Sequence, residues 1–155
     1  MQFAGRVRSF AVMVDVSAKT ATLRTASARG TVLFPKDVFA RVLAEGSVKG
    51  DIVTIAQVAG IQAAKHTSSL LPLCHPLPLD SVRLSIVPEE AVHSFQVSAQ
   101  VTTSACKTGV EMEALTAVSI ACLTIYDMTK SYSHAISIQN IALSYKTGGK
   151  SDFAQ

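Results

Sequence analysis

Asp127 and Lys130 stand three positions apart near the end of a long apolar stretch, a carboxylate and an ammonium that can meet across one helical turn. Such a couple can move protons. It can also be a plain surface ion pair at a helix end, where a lysine suits the macrodipole. Projected at about 100° per residue, Glu113, Thr116, Thr124, Asp127 and Ser131 fall within about 60° of one direction, with Lys130 at the margin. A polar stripe kept on an otherwise apolar helix tips the reading towards function. Glu113 lies about 14 residues from Asp127, or about 21 Å along the axis, so one chain cannot bring both to the same reacting atom. A site that uses both is as long as a nucleotide or is completed by a second subunit.

Four further candidates stand apart from that stripe. Leu70 to Leu79 contains three prolines, which forbid regular helix and hold the backbone extended, and it presents His75. His75 is either a loop histidine bonded to a carbonyl or a group exposed for a substrate. Its neighbour Cys74 reads as a small buried hydrophobe or as a nucleophile, the latter without support from His75, because adjacent residues seldom face each other. Glu111 follows Thr108 by three positions, the spacing of a capping box, and projects about 160° from Asp127. Lys146 and Lys150 flank Gly148-Gly149 in a tail that either frays or closes over phosphates. That tail is no Walker loop: Ser144 stands where the first glycine belongs and no helix follows. Metal ligation is not expected, since His66, His93 and His134 are isolated and no second ligand stands at zinc spacing from Cys74-His75.

These groups need a scaffold. The stretch 107–130 reads as one helix of about six turns, too interrupted by Ser, Thr and Cys for a membrane span. Residues 13–17 alternate as a short strand, and 19–34 continue as a second. Pro35 opens a short helix that stops near Gly46. Asp51 caps a longer helix of apolar residues on more than one face, within which Gly60 suggests a close packing contact. Ser81 to Val87 and Val92 to Ser104 alternate with period two as a hairpin, and 136–145 is a last strand. The order is that of a split βαβ, ferredoxin-like α+β fold: an antiparallel sheet with two long helices on one face.

The 155 residues suit one domain, with an N-terminal strand or extension at 1–19 and a flexible Gly/Lys tail at 146–155. At 48% hydrophobic and 16% charged residues, the surface is short of charge, and self-association is the natural way to hide it. A net charge of +3, scattered along the chain, is too weak for a nucleic-acid footprint yet compatible with a small anion. The basic stretch at 5–9 is not followed by a long apolar run, so no signal peptide is expected. Three cysteines without framework spacing indicate a reduced, cytoplasmic setting.

Several stretches together resemble one family. They are Met13-Val14-Asp15-Val16-Ser17-Ala18-Lys19, Lys49-Gly50-Asp51, Ala59 to Lys65, Leu71-Pro72-Leu73-Cys74-His75-Pro76, Lys107 to Thr116 and Leu123 to Lys130. The chain is similar over nearly its whole length to the molybdenum cofactor biosynthesis protein C family, the cyclic pyranopterin monophosphate synthases. The resemblance implies a homohexamer, a trimer of dimers, with sites at the dimer interface. It implies a small nucleotide-derived substrate, 3′,8-cyclo-7,8-dihydroguanosine 5′-triphosphate, converted to cyclic pyranopterin monophosphate and diphosphate. No redox step is involved, so no cofactor is expected.

By the same resemblance Asp127, Lys130 and Lys49 form the catalytic set. Leu73, Cys74, His75, Met112 and Glu113 correspond to substrate-contacting segments, with Glu111 and Lys65 beside them. Lys49, Lys146 and Lys150 would hold the triphosphate. Two other classes of reading remain open at this point, a non-catalytic nucleotide sensor and a purely structural oligomer.

Overall fold

A computed structural model of the protein describes residues 11–155. The basic stretch at 5–9 and the first part of the expected N-terminal extension lie outside the described residues. Five strands form one antiparallel sheet: β1 (Thr22–Leu33), β2 (Ser81–Glu89), β3 (Ser94–Cys106), β4 (Ser137–Thr147) and the short β5 (Phe153–Ala154). Their spatial order is β2-β3-β1-β4-β5. The helices are α1 (Lys36–Glu45), α2 (Ile52–Lys65), α3 (Thr67–Leu70) and α4 (Glu111–Thr129). Without β5, the order β4-β1-β3-β2 with α2 and α4 on one face is the expected ferredoxin-like α+β arrangement.

Alternation in β1 decides which face is covered. Ala26, Ala28 and Val32 are wholly buried, while Arg29 between them is exposed. Against that face α4 buries Ala114, Ala117, Val118, Ala121, Cys122 and Ile125. Removing one such Val or Ile side chain from water contributes about 1.5–3 kcal/mol. Phe34, Phe39 and Phe95 close one end of the core, with ring centroids 5.6–5.7 Å apart.

Gly60 is the close contact its position suggests. A Cβ there would stand 2.8 Å from the Ala117 carbonyl oxygen of α4 and 2.5 Å from Leu84 Cδ2. Gly60→Val is therefore expected to lower stability by about 1–3 kcal/mol. A chemical denaturation curve reads the change; an unshifted midpoint would show that the two helices can part without cost.

Two local expectations are corrected, and the 146–155 tail takes a defined local structure. Residues 13–17 form no strand: β1, which they precede, already has β3 on one side and β4 on the other, so they cannot pair with it as a hairpin. They end instead in a turn, with Ser17 N–H donating to Asp15 Oδ1 at 2.8 Å. Thr108 does not cap α4. The helix starts at Glu111 behind the buried Val110, with no side-chain cap, and the Glu111 carboxylate turns to the Lys146 ammonium at 3.2 Å. A full charge outcompetes a neutral backbone donor there. Finally, the 146–155 tail turns at Gly148 (φ +85°) and pairs Phe153 with Lys146. Asp51 does cap α2, its Oδ1 accepting from Thr54 N–H at 2.6 Å.

Candidate active site

The expected residues gather at the two ends of α4. At its C-terminal end Asp127 bridges two lysines. Lys130 Nζ donates to its Oδ1 at 2.7 Å and Lys49 Nζ to its Oδ2 at 2.5 Å. Lys49 also donates to the Asp127 carbonyl at 3.2 Å, so it doubles as a partner for an otherwise orphaned helix-end acceptor. Lys49 reaches that far because its loop is tied to the helix. Ser47 Oγ donates to the Met128 carbonyl at 2.9 Å, and Tyr132 O–H to the Gly46 carbonyl at 3.0 Å. Gly46 and Gly50 supply the positive φ angles of +69° and +117° that the turn requires.

Hydrogen bonds from Lys130 first and Lys49 second hold the Asp127 carboxyl down to about 2, and Asp127 in turn raises the Lys130 ammonium. Such a depressed carboxyl favours the fold above its ordinary value of 3.8, and this contribution fades as pH falls towards 2. Two ammoniums and one carboxylate leave the trio with one net positive charge at neutral pH. All three side chains are about half exposed, at 49–52%. They face solvent at the helix end.

At the N-terminal end two cavities share a wall. The larger, about 490 Å³, is lined by Leu73, Cys74, His75, Met112 and Glu113, together with Val14 and Val16 of the segment that failed to become a strand. The proline-rich loop is held there by β3: Thr103 Oγ1 donates to the Pro78 carbonyl at 2.8 Å, and Ser104 N–H to Asp80 Oδ2 at 2.5 Å. Across the wall formed by Lys19, Thr108, Gly109 and Glu111 lies a basic cavity of about 240 Å³. Lys146 and Lys150 line it, and Arg24, Lys107 and Lys19 join them. Those three were not foreseen as site residues. Arg24 did leave a signal: it has the parity of the buried residues Ala26, Ala28 and Val32 in β1, an odd place for an arginine.

Glu113 and Asp127 share a helix direction but not an environment. Glu113 is only 4% exposed, and burial, with Glu111 as a lesser contributor, raises its carboxyl. Burial and then the Glu113 charge also raise the Cys74 thiol, so it is a poor thiolate and a poor nucleophile. Lys65 is the outlier. It lies in a separate groove with Leu77, Leu79 and Asp80, outside both cavities. Among the described residues, no three His, Cys, Asp or Glu side chains assemble a metal cage.

A carboxyl raised by burial opposes folding once it ionises. Glu113→Gln is expected to raise the thermal midpoint at pH 7–8, with the gain shrinking towards pH 4.5, the ordinary value. A pH series of melts measures this; a less stable variant at pH 8 would mean the charged form is well solvated in the cavity.

The arrangement offers a cationic cradle for phosphates, a half-apolar chamber with a carboxylate and an imidazole, and a separate Lys–Asp–Lys trio. A profile described as the MoaC family matches residues 13–149. The chain is 52% identical to a cyclic pyranopterin monophosphate synthase of Heliobacterium modesticaldum (strain ATCC 51547 / Ice1) over 139 residues, 90% of this chain and 87% of the relative. It is 50% identical to the protein of that name from Trichodesmium erythraeum (strain IMS101), over 90% of this chain and 83% of the relative. A third, from Desulforapulum autotrophicum (strain ATCC 43914 / DSM 3382 / VKM B-1955 / HRM2), is 46% identical over 95% of this chain and 87% of the relative. With a match of this extent running through both ends of the site, the chain belongs to the MoaC family.

Proposed function

We propose that this protein is a cyclic pyranopterin monophosphate synthase, acting on 3′,8-cyclo-7,8-dihydroguanosine 5′-triphosphate in molybdenum cofactor biosynthesis. The observation that carries the reading is the paired chamber: a five-cation cavity opening beside one that holds a buried carboxylate and an imidazole. Lys19, Arg24, Lys107, Lys146 and Lys150 take the triphosphate. Glu113 accepts from the guanidine-like edge of the base, and His75 places or protonates a ring nitrogen. The imidazole portion of the purine opens and is rebuilt as a pyranopterin. A ribose hydroxyl then attacks the α-phosphorus. One O–P bond forms, the bond to the β-phosphate oxygen breaks, and diphosphate leaves with the charge. Ring bonds break and re-form, protons shift and one P–O bond exchanges for another, with no net change of oxidation state, so no redox cofactor is called on.

Asp127 and Lys130 serve as the acid/base pair, with Lys49 beside them. A carboxyl near 2 is a weak base while both ammoniums hold it. A substrate oxyanion that draws one lysine away returns it towards its ordinary range, so the base is armed by binding.

The protein works as a homohexamer, a trimer of dimers in the cytoplasm, with each site walled by two chains. Support comes from the exposed outer face of the helices. Met112, Leu123, Ile55 and Val58 are 39–61% exposed there, alongside Thr116 and Ser119. A two-fold axis crossing the middle of α4 would lay one Asp127 near the partner's Glu113 end, closing the gap of about 21 Å. No helix is long and apolar enough to cross a membrane among the described residues.

The test is incubation of purified protein with the cyclised GTP derivative, reading pyranopterin and diphosphate by mass spectrometry. Product formation is expected. Tight binding without product would favour a nucleotide sensor, and an unshifted melting temperature with the nucleotide would favour a structural oligomer.

A further inference from the structure

Glu111, in the wall between the two cavities, makes one ion pair that the proposed reaction does not use. Glu111 Oε1 lies 3.2 Å from Lys146 Nζ, with both side chains only about 30% exposed (29% and 30%). Glu111 is the sole acid among the residues lining the basic cavity, and it lines the neighbouring chamber as well. Its carboxylate lies folded over Gly109, where any Cβ would collide with it. The posture is possible because that residue is glycine. Arg24 lines the same cavity, and its Nε is buried without a hydrogen-bond partner among the described residues. A guanidinium with an unpartnered buried N–H, beside four lysines, gains from an anion that satisfies it. Glu111 is thus placed as a stand-in anion for Lys146 in a cavity that still lacks charge for Arg24.

We propose that Glu111 is a positioning residue, a latch that phosphate displaces: an anion entering the basic cavity takes Lys146, and the freed Glu111 carboxylate swings over Gly109 into the adjoining chamber. Phosphate oxygens carry more charge than a single carboxylate and can engage Lys146 and Arg24 together, so they win the exchange. The arriving carboxylate brings its charge closer to Glu113, whose carboxyl the Glu111 charge already helps to raise, leaving the carbonyl oxygen of the Glu113 carboxyl as the acceptor for the base. Filling of the phosphate cavity therefore reports to the base chamber. The identity of the natural nucleotide rests on the reading above; the latch itself concerns any polyphosphate.

The probe is inorganic triphosphate, titrated calorimetrically into the intact protein and into Glu111→Gln, Lys146→Met and the double variant. Glu111→Gln removes the competitor at constant volume and should tighten triphosphate binding about tenfold. In the Lys146→Met background the same change should alter affinity less than about twofold, because the competition has lost its object. An equal gain in both backgrounds would reduce Glu111 to a diffuse repulsive charge and overturn the latch. So would unchanged or weaker binding by Glu111→Gln alone. With the full substrate, Glu111→Gln should lower kcat without raising KM, a split that a merely structural role would not produce. Absence of product from the unsubstituted protein would defeat the functional reading while leaving the triphosphate cycle readable.

Discussion

Asp127→Asn is expected to lower turnover of the cyclised triphosphate by about 10²–10⁴-fold, the usual worth of a positioned acid/base group. The amide cannot take a proton, and it cannot hold two ammoniums. Lys49 and Lys130, both tied to the same carboxylate at 2.5 and 2.7 Å, would then repel each other and lose their shared orientation. Lys130→Ala should fall by a similar factor, having lost the donor itself. Stability is expected to change little, since the trio is half exposed and a solvent-screened ion pair of that kind contributes little to folding. Single-turnover kinetics with a parallel melt separates the two effects. Near-normal turnover by either variant would remove that residue from the catalytic set.

Mixing two inactive proteins should restore activity. Asp127→Asn damages one end of α4 and His75→Ala the cavity at the other end. If each site takes its trio from one chain and its chamber from the partner, a mixed dimer holds one doubly damaged site and one intact site. Equal mixing with free exchange gives about half mixed dimers, and hence about one quarter of the unsubstituted rate. Denaturation together, refolding and assay is the measurement, with sedimentation confirming that assembly has recovered. A mixture no more active than its components would mean that one chain supplies the whole site. The separation along α4 would then have to be bridged by the substrate alone.

The correspondence between chain and fold is uneven in an instructive way. Period-two alternation through 81–87 and 92–104 became β2 and β3, with β3 starting at Ser94 after a helical turn at Glu90–Val92, because one face of each strand is covered and the other is not. The Asp51 cap and the Gly60 contact were legible for the same local reason: one geometry satisfies them. The capping box at Thr108 was plausible and wrong. Its glutamate had a stronger partner, Lys146, that lies 35 positions away in sequence and adjacent in space. The strand at 13–17 was equally plausible locally, and failed because β1 had no free neighbour to give.

Of the site, the sequence by itself determined the residue types and their order on each element. It set Asp127 and Lys130 one helical turn apart, His75 in a bend stiffened by proline, and lysines around a Gly-Gly turn. These are near-neighbour properties, governed by helical rise, ring closure and glycine freedom. Tertiary structure alone decided that Lys49 meets Asp127 across 78 positions and that Arg24 and Lys107 join the tail lysines in one cavity. It also decided that Glu113 is buried where Asp127 is exposed, and that Lys65 stands apart. Such placements follow from which surfaces the sheet and helices cover on packing. Coulomb and desolvation energies take their size from that burial and distance, and neither is a property of a residue read in isolation.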